Sequence, residues 1–350
     1  MAEKADFELD SLDLRMLREL RLDGRQPASH LADKLGISRT YACERLDRLL
    51  SARIARVGAF TNAVALGYRA LAVTAIQVAQ GESSGVADRL RALPNVIVVI
   101  IGVGWQDILI WSLFPDQSGL YDFMTRELAG VPGIESAETL VVIESFNASP
   151  YLYSEWESLT PHSHSFPSMS WDSRQATSAD LLQQGNREGG LSVDKVDLLI
   201  LREIEKDGRQ PVAHVARRLG ISRANASARL KRLLDEDIAR ITTFVSPRGQ
   251  GNQIFALIGM KVSPREVNTV VERVKTLRNV GWVAKVVGRH NVLVGTTLLD
   301  PLDLLELLER QLGPTPGILS METMVGLEIR KRSYAYLASA YLKRIEECQQ

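Results

Sequence analysis

Residues 23–39 read DGRQPASHLADKLGISR, and residues 207–223 read DGRQPVAHVARRLGISR. The two stretches stand 184 positions apart (207 − 23). Core packing does not require such repetition, since cores accept many apolar combinations if volume and patterning are kept. At the same offset, 27 of the 48 positions from Asp13 to Phe60 are identical to those from Asp197 to Phe244. That period is far too long for a solenoid and marks a duplicated domain or pair of domains.

Each copy parses as three helices and a hairpin. The stretch LDLRMLREL is dense enough in leucine for a buried helix, which Gly24 is expected to stop. Pro27 suits the first turn of a second helix, with Leu31 and Leu35 at i, i+4. Gly36 then breaks the chain, and Ser38 is a good N-cap for RTYACERLDRLL. Two helices around a short glycine turn, the second capped and arginine-rich, make a helix-turn-helix. IARVGAF after it reads as a small strand or wing. The second copy repeats this through Gly208, Pro211, Gly220 and Ser222.

In the third helix, Leu46, Leu49 and Leu50 form an inward stripe, matched by Leu230, Leu233 and Leu234. Ser38, Arg39, Thr40, Tyr41, Glu44, Arg45 and Arg48 are then expected to face outward, as are Ser222, Arg223, Asn225, Arg229, Lys231 and Arg232. A recognition helix sets its N-terminal residues on base edges and its flanks on phosphates. Arginine suits guanine or phosphate, Asn225 suits adenine, and Glu44 can accept from a cytosine amino group. The partner so implied is double-stranded DNA. Net charge is zero over the 350 residues, yet the distribution is uneven. Asp13 to Phe60 holds ten Arg/Lys against six Asp/Glu, and Asp197 to Phe244 ten against seven, so +4 and +3 stand against −7 elsewhere. Two basic modules on an acidic remainder are the footprint of phosphate binding.

No apolar run approaches the roughly 18 residues of a membrane span, and the polar MAEKADFELDSLD is not expected to be a signal peptide. Cys43 and Cys348 lie far apart and read as reduced thiols, so a cytoplasmic protein without membrane association is expected.

After Gly67 the pattern changes to strand, helix, strand, strand, helix, strand, and the second copy follows at the same offset through Gly104/Gly288, Asp116/Asp300 and the turns VPGI and TPGI. This β-α-β-β-α-β order is the ferredoxin-like arrangement, whose uncovered sheet face must be buried, so the two domains should pair. The expected class is α+β, with two copies of a winged helix-turn-helix followed by a ferredoxin-like domain. The boundaries read as 1–62 and 63–146 for the first copy, a linker at 147–190, 191–246 and 247–332 for the second, and a C-terminal amphipathic helix at 333–350. The linker is rich in Ser, Pro and Gln but holds Tyr151, Tyr153, Trp156, Phe166 and Trp171. Its His162 and His164 lack supporting ligands, so no metal is expected.

The opening LDLRMLRELRLDGR, the run LADKLGIS, and GWQD at Gly104 to Asp107 together resemble the Lrp/AsnC, or feast/famine, transcription regulators. Their counterparts are VDLLILREIEKDGR, VARRLGIS and GRHN at Gly288 to Asn291. The resemblance implies a DNA-binding domain joined to a regulatory domain that pairs through its sheet. It also implies a small effector, often an amino acid, bound near the G-x-x-D loop. Carried over, the effector residues are Gly104, Gln106 and Asp107, with Gly288, His290 and Asn291 in the second copy. Asn291 replaces the acid, a departure from the family pattern. A tight turn needing Gly and Asp or Asn for conformation alone accounts for the same residues. The expected assembly is a homo-oligomer of chains that are each a pseudo-dimer, with no cofactor and no catalytic residues. The alternative is an enzyme like the siroheme decarboxylases, which share this architecture and use His and Arg in the regulatory-type domain; GRHN suits that idea, but the first copy has no His in its loop.

Overall fold

The computed structural model describes residues 9–52, 54–63, 65–146, 193–236, 238–245, 254–277, 280–298, 300–332, 338, 339 and 342. The expected linker, with its aromatics and histidines, lies outside the described residues, as does most of the C-terminal segment. The chain divides into two compact units, and each draws on both copies: Met1–Leu66, Val193–Asn252 and Tyr334–Gln350 form one, Gly67–Ser192 and Gln253–Ser333 the other.

In the helical unit, α1 (Ser11–Leu22), α2 (Ala28–Leu35) and α3 (Arg39–Ser51) are followed by β1 (Ala55–Thr61). The second copy supplies α6 (Lys195–Lys206), α7 (Val212–Leu219), α8 (Arg223–Asp235) and β6 (Ala239–Val245). Both first helices open with a capping box, in which Asp10 accepts from the Asp13 amide at 2.8 Å and Asp194 from the Asp197 amide at 2.8 Å. Gly36 (φ 69°) and Gly220 (φ 68°) end α2 and α7 in the left-handed region that glycine adopts without strain. Ser38 and Ser222 cap α3 and α8 by accepting from Tyr41 N at 3.2 Å and Asn225 N at 3.1 Å. The buried set Met16, Leu17, Leu20, Leu31, Leu46 and Leu49 forms the first copy's small core.

Three local expectations are corrected. Among the described residues no hairpin wing forms within a copy: β1 pairs antiparallel with β6, Ala55 opposite Val245 and Thr61 opposite Ala239. A single seven-residue strand leaves a row of unpaired amides and carbonyls, and the other copy's equivalent strand satisfies them. Gly24 does not stop α1, whose C-cap is Asp23. A Cβ on Gly24 would stand 2.7 Å from Val57 Cγ1 and 3.3 Å from the Thr242 carbonyl carbon, and one on Gly208 3.0 Å from the Gly58 backbone. Val57 belongs to Gly24's own copy, while Thr242 and Gly58 each lie in the copy opposite the glycine they meet, so these glycines make room for the β1–β6 pair rather than end a helix. Pro27 is the N-cap of α2, one place before the first turn.

The two DGRQ turns then exchange hydrogen bonds. Arg25 Nε donates to Gly208 O at 2.6 Å, and Arg209 donates to Gly24 O at 2.7 Å and Gln26 O at 3.2 Å. Gly208 N donates to Val57 O at 2.8 Å. Burial pulls the Arg25 guanidinium below its ordinary value, and those carbonyls replace the water it gives up. The C-terminal segment also reaches this unit: the amides of Ala338 and Ser339 donate to the buried Glu205 carboxylate at 2.7 and 3.1 Å.

In the second unit the first copy contributes β2 (Ala70–Val78), α4 (Ser83–Ala92), β3 (Val96–Gly104), β4 (Ile108–Phe114), α5 (Gln117–Asp122, continued by a π-helical turn to Leu128) and β5 (Ile134–Phe146). The second copy contributes β7 (Ile254–Val262), α9 (Val267–Val274), β8 (Val280–Val287), β9 (Val292–Leu298), α10 (Pro301–Glu306, continued to Leu312) and β10 (Ile318–Arg332). The two sheets do not merely stack on one another. Their edges join at β3–β10 and β5–β8 into one closed eight-stranded barrel, in the order β10-β3-β4-β2-β5-β8-β9-β7. Closure removes every sheet edge. One face of each half packs on its helices: Ile76, Val99, Ile110 and Phe114 meet Val86, Leu90 and Phe123 in the first copy, and Ile258, Val283 and Val294 meet Val270, Val274 and Leu307 in the second. The alternate residues face the barrel interior, where Trp111 meets Trp282 and Phe255 at ring distances of 6.2 and 6.4 Å.

The close approach of the copies at Gly24 and Gly208 gives the first prediction. Gly24→Ala should destabilise the helical unit by about 1–3 kcal/mol through overpacking, read by urea unfolding. Gly36→Ala, which meets nothing within 4 Å but stays at φ +69°, should cost only about 1 kcal/mol. A Gly24→Ala variant as stable as the parent would contradict the close packing of this turn against β1 and β6.

Candidate functional site

The surface of α3 and α8 is decided by one buried acid in each copy. Asp13 is fully buried, and its carboxylate accepts from Arg45 at 2.9 Å and from Arg48. Asp197, equally buried, accepts from Arg229 at 2.9 Å and Arg232 at 2.5 Å. Arg45 also reaches Asp10, and Arg229 reaches Asp194 at 2.6 Å. The hydrogen bonds that Arg45 and Arg229 donate to Asp10 and Asp194 are the largest cause holding their guanidinium groups above the ordinary value. Burial opposes ionisation of Asp10, but the Asp13 amide and Arg45 outweigh it and leave its carboxyl below the usual range.

Arg45, Arg48, Arg229 and Arg232 were expected to face outward. The structure bonds all four guanidinium groups to acids of α1 and α6, so their first task is to fix each third helix on the first. Tyr41 and Asn225 are drawn into the same arrangement, Tyr41 OH accepting from Arg45 at 2.5 Å and Asn225 Oδ1 from Arg229 at 3.0 Å. Arg39, Thr40 and Glu44 remain exposed on α3, and Arg223, Ala224, Ala228 and Lys231 on α8. Lys231 pairs with Asp235 on its own helix. The serine side chains at 38 and 222 are occupied as caps. The structural acids were missed in the sequence, although their spacing to both arginines is preserved at the same offset.

In the barrel unit the G-x-x-[D/N] loops link β3 to β4 and β8 to β9. Gly104 has φ 138°, and a Cβ there would lie 2.2 Å from Thr323 O across the β3–β10 seam. Gly288 has φ 153°, and a Cβ would meet Leu140 Cδ2 at 2.5 Å across the β5–β8 seam. Asp107 Oδ2 accepts from Val78 N at 3.0 Å. Asn291 Oδ1 accepts from Val262 N at 2.8 Å, while its Nδ2 donates to Val262 O at 2.7 Å. The outer residues of each motif therefore hold seam and turn, and Asn serves the task as well as Asp.

The middle residues converge elsewhere. Trp105 stacks on His290 with ring centroids 4.5 Å apart and planes 14° apart. His290 is buried and shares Glu322 with Arg289, its Nε2 lying 3.0 Å from Glu322 Oε2. Arg289 stands 3.9 Å from Glu138 as well. Burial pulls the His290 pKa down, with Arg289 adding to it, against the upward pull of Glu322. Of the expected residues His290 lies at this corner, while Trp105, Arg289, Glu138 and Glu322, which were not singled out, join it there. Glu138 and Glu322 occupy equivalent positions at the 184-residue offset, a signal that was available. Among the described residues, no group of three His, Cys, Asp or Glu is placed to hold a metal ion, and no helix is long and apolar enough to cross a membrane.

Paired helix-turn-helix units and a barrel assembled from two sheet halves define a DNA-binding protein with a regulatory unit. Residues 9–50 match the AsnC-type helix-turn-helix domain, 193–240 a winged helix-turn-helix DNA-binding domain, and both 71–152 and 255–336 the Lrp/AsnC ligand binding domain. The chain belongs to the Lrp/AsnC family of transcription regulators, with the whole two-domain plan present twice. An uncharacterised HTH-type transcriptional regulator of Pyrococcus furiosus is 31% identical over 144 residues, 41% of this chain and 97% of its own length. The leucine-responsive regulatory protein of Rhizobium meliloti is 29% identical over 39% of this chain and 90% of its own. Each relative therefore corresponds to one copy. The siroheme decarboxylase NirDL superposes with a TM-score of 0.60 over 97% of this chain and 100% of its own, at 14% identity, which is a likeness of fold.

The acid at the centre of each clamp gives the second prediction. Asp197→Ala should cost about 2–3 kcal/mol, below the 3–5 typical of a fully buried broken pair because Arg232 is partly exposed. Thermal unfolding and a mobility shift should move together, with DNA affinity falling although Asp197 is buried away from any ligand. Unchanged DNA affinity in a stably folded variant would show that the clamp does not orient the helix.

Proposed function

We propose that this chain regulates transcription by reading double-stranded DNA through α3 and α8 and by answering to a small effector at the barrel unit. The observation that carries the reading is the doubled helix-turn-helix, held as one unit by β1–β6 and the DGRQ turns. Arg39, Thr40, Tyr41 and Glu44 face DNA from the first copy; Arg223, Asn225 and Lys231 face it from the second. Arg45, Arg48, Arg229 and Arg232 set the angle of those helices and lend positive charge to nearby phosphates. The barrel halves are read as ferredoxin-like units, on their β-α-β-β-α-β order and strand order β3-β4-β2-β5. Within the barrel, Gly104, Asp107, Gly288 and Asn291 shape the loops, while Gln106 and His290 meet the effector. Chains with both sheets already paired associate further through other surfaces into a homo-oligomer.

Duplication frees the two reading helices to differ. Thr40, Tyr41, Glu44 and Asp47 become Ala224, Asn225, Ala228 and Lys231. Two acids are lost and a lysine gained, so the second helix leans more on phosphate and on low salt. The expected operator has two unlike half-sites separated by about one helical turn or a multiple of it. Selection from randomised DNA should return such a site, and a perfect palindrome would contradict it.

Arg39→Ala combined with Arg223→Ala should abolish specific binding, each lost contact being worth about 1–3 kcal/mol. Wild-type affinity in this variant at matched salt would remove the two helices as readers. A decarboxylase-like reading is favoured by the fold likeness to NirDL and by the His290–Glu322 pair. The absorption spectrum of the protein with added siroheme separates the two: a bound, decarboxylated tetrapyrrole without operator binding would reverse the assignment.

A further inference from the structure

The two halves of the helical unit hold to β1 and β6 in unlike ways. On one side the Thr243 hydroxyl of β6 donates to Leu20 O near the end of α1, at 2.8 Å. The equivalent residues on the other side are Ala59 of β1 and Ile204 of α6, and alanine has no hydroxyl to give. There the bonds run through the next residue of α6. Arg56 of β1 donates to Glu205 O, and the Thr61 hydroxyl donates to the Glu205 carboxylate at 2.9 Å. Glu205 and Thr61 stand where the other half has Arg21 and Val245, so the pair is not repeated there.

The remaining capacity of the Glu205 carboxylate is taken by the C-terminal segment, which falls in the same compact unit. Oε1 accepts from Ala338 N at 2.7 Å, and Oε2 accepts from Ser339 N at 3.1 Å and Ser339 Oγ at 2.9 Å. Burial pushes the carboxyl above its ordinary value, against the pull of these donors and Thr61. An ionised carboxylate only accepts, and a buried one is costly unless its oxygens are met. Thr61 reaches one oxygen, and the three donors of the segment complete the set. Ala338 and Leu342, four residues apart, are buried as well. These residues lie past residue 336, where the match to the ligand binding domain ends.

We propose that Glu205 and Thr61 form a docking site for the chain's own C-terminal segment, and that the docked segment is a strap fixing α6 on β1. It supplies on the second side the hold that Thr243 gives on the first. With the strap docked, the two helix-turn-helix units keep one placement relative to each other. With it released, the second unit moves against the first. The consequence for DNA, which rests on the regulator reading, is that the chain accepts a single half-site spacing.

Cys43 on α3 and its equivalent Ser227 on α8 carry a pair of nitroxide labels in the full-length chain with Ser227→Cys and Cys348→Ser. Pulsed electron resonance should return one narrow distance between them. Ala338→Asp sets a second acid against the buried Glu205 carboxylate and alters neither α6 nor β1. The amides around residue 338, protected from hydrogen exchange in the parent, should then exchange freely. The narrow label distance should give way to a broad distribution, with circular dichroism unchanged. Glu205→Gln, which offers one acceptor oxygen in place of two, should act in the same direction. A narrow distance kept in Ala338→Asp, or protection retained around residue 338, would overturn the proposal. Selection from randomised duplexes should return several half-site spacings for the Ala338→Asp chain where the parent returns one, and a single spacing shared by both would overturn the strap's part in reading. No enriched DNA for either chain would sink the regulator reading instead, and the label distances would still decide the strap.

Discussion

The strand that follows each third helix has seven residues and, among the described residues, no partner strand inside its own copy. Its backbone groups must be satisfied, and among the described residues the edge that satisfies them belongs to the other copy. From that constraint the rest of the helical unit follows. β1 and β6 pair in antiparallel register, the DGRQ turns are brought against the opposite strands, and glycine becomes obligatory where backbone meets backbone. The arginine of each turn then finds carbonyls of the opposite turn. Fusing the copies into one chain raises the effective concentration of the two halves and makes this pairing intramolecular.

The barrel unit repeats the same logic at larger scale. Each half is a four-stranded sheet with two exposed edges, and each edge is closed by an edge of the other half. The loops that carry family-like glycine and acid residues lie at these seams, which is why Gly104 and Gly288 tolerate no side chain. Duplication then lets the seam remain constant while the residues between its fixed points diverge. Trp105 with Gln106, and Arg289 with His290, are the products of that freedom, as are the unlike faces of α3 and α8.

Much of this was legible in the sequence. The two copies, the helix order, the serine caps, the left-handed glycines after α2 and α7, and the strand-helix alternation beyond Gly67 all follow from local patterns. The cross-copy contacts did not, because no local signal tells a strand which partner it will take. Gly24 fitted a helix stop as well as a packing point, and only the positions of Val57 and, from the other copy, Thr242 separate the two. Arg45 and Arg48 illustrate a different limit. Residues kept through duplication mark importance without saying whether it lies in DNA contact or in the fold, and the buried aspartate 32 and 35 positions earlier adds a role in the fold that no local pattern announces.

The central claim is that the two helix-turn-helix units are joined within one chain through β1 and β6. Cysteines placed at Ala59 and Ile241, directly opposed in the register, test it when Cys43 and Cys348 are first replaced by serine. Oxidation in dilute solution should give an internally cross-linked monomer, and the pair Ala59→Cys with Thr243→Cys, out of register by two residues, should not cross-link. Disulfide-linked dimers, or no cross-link at the opposed pair, would contradict the account.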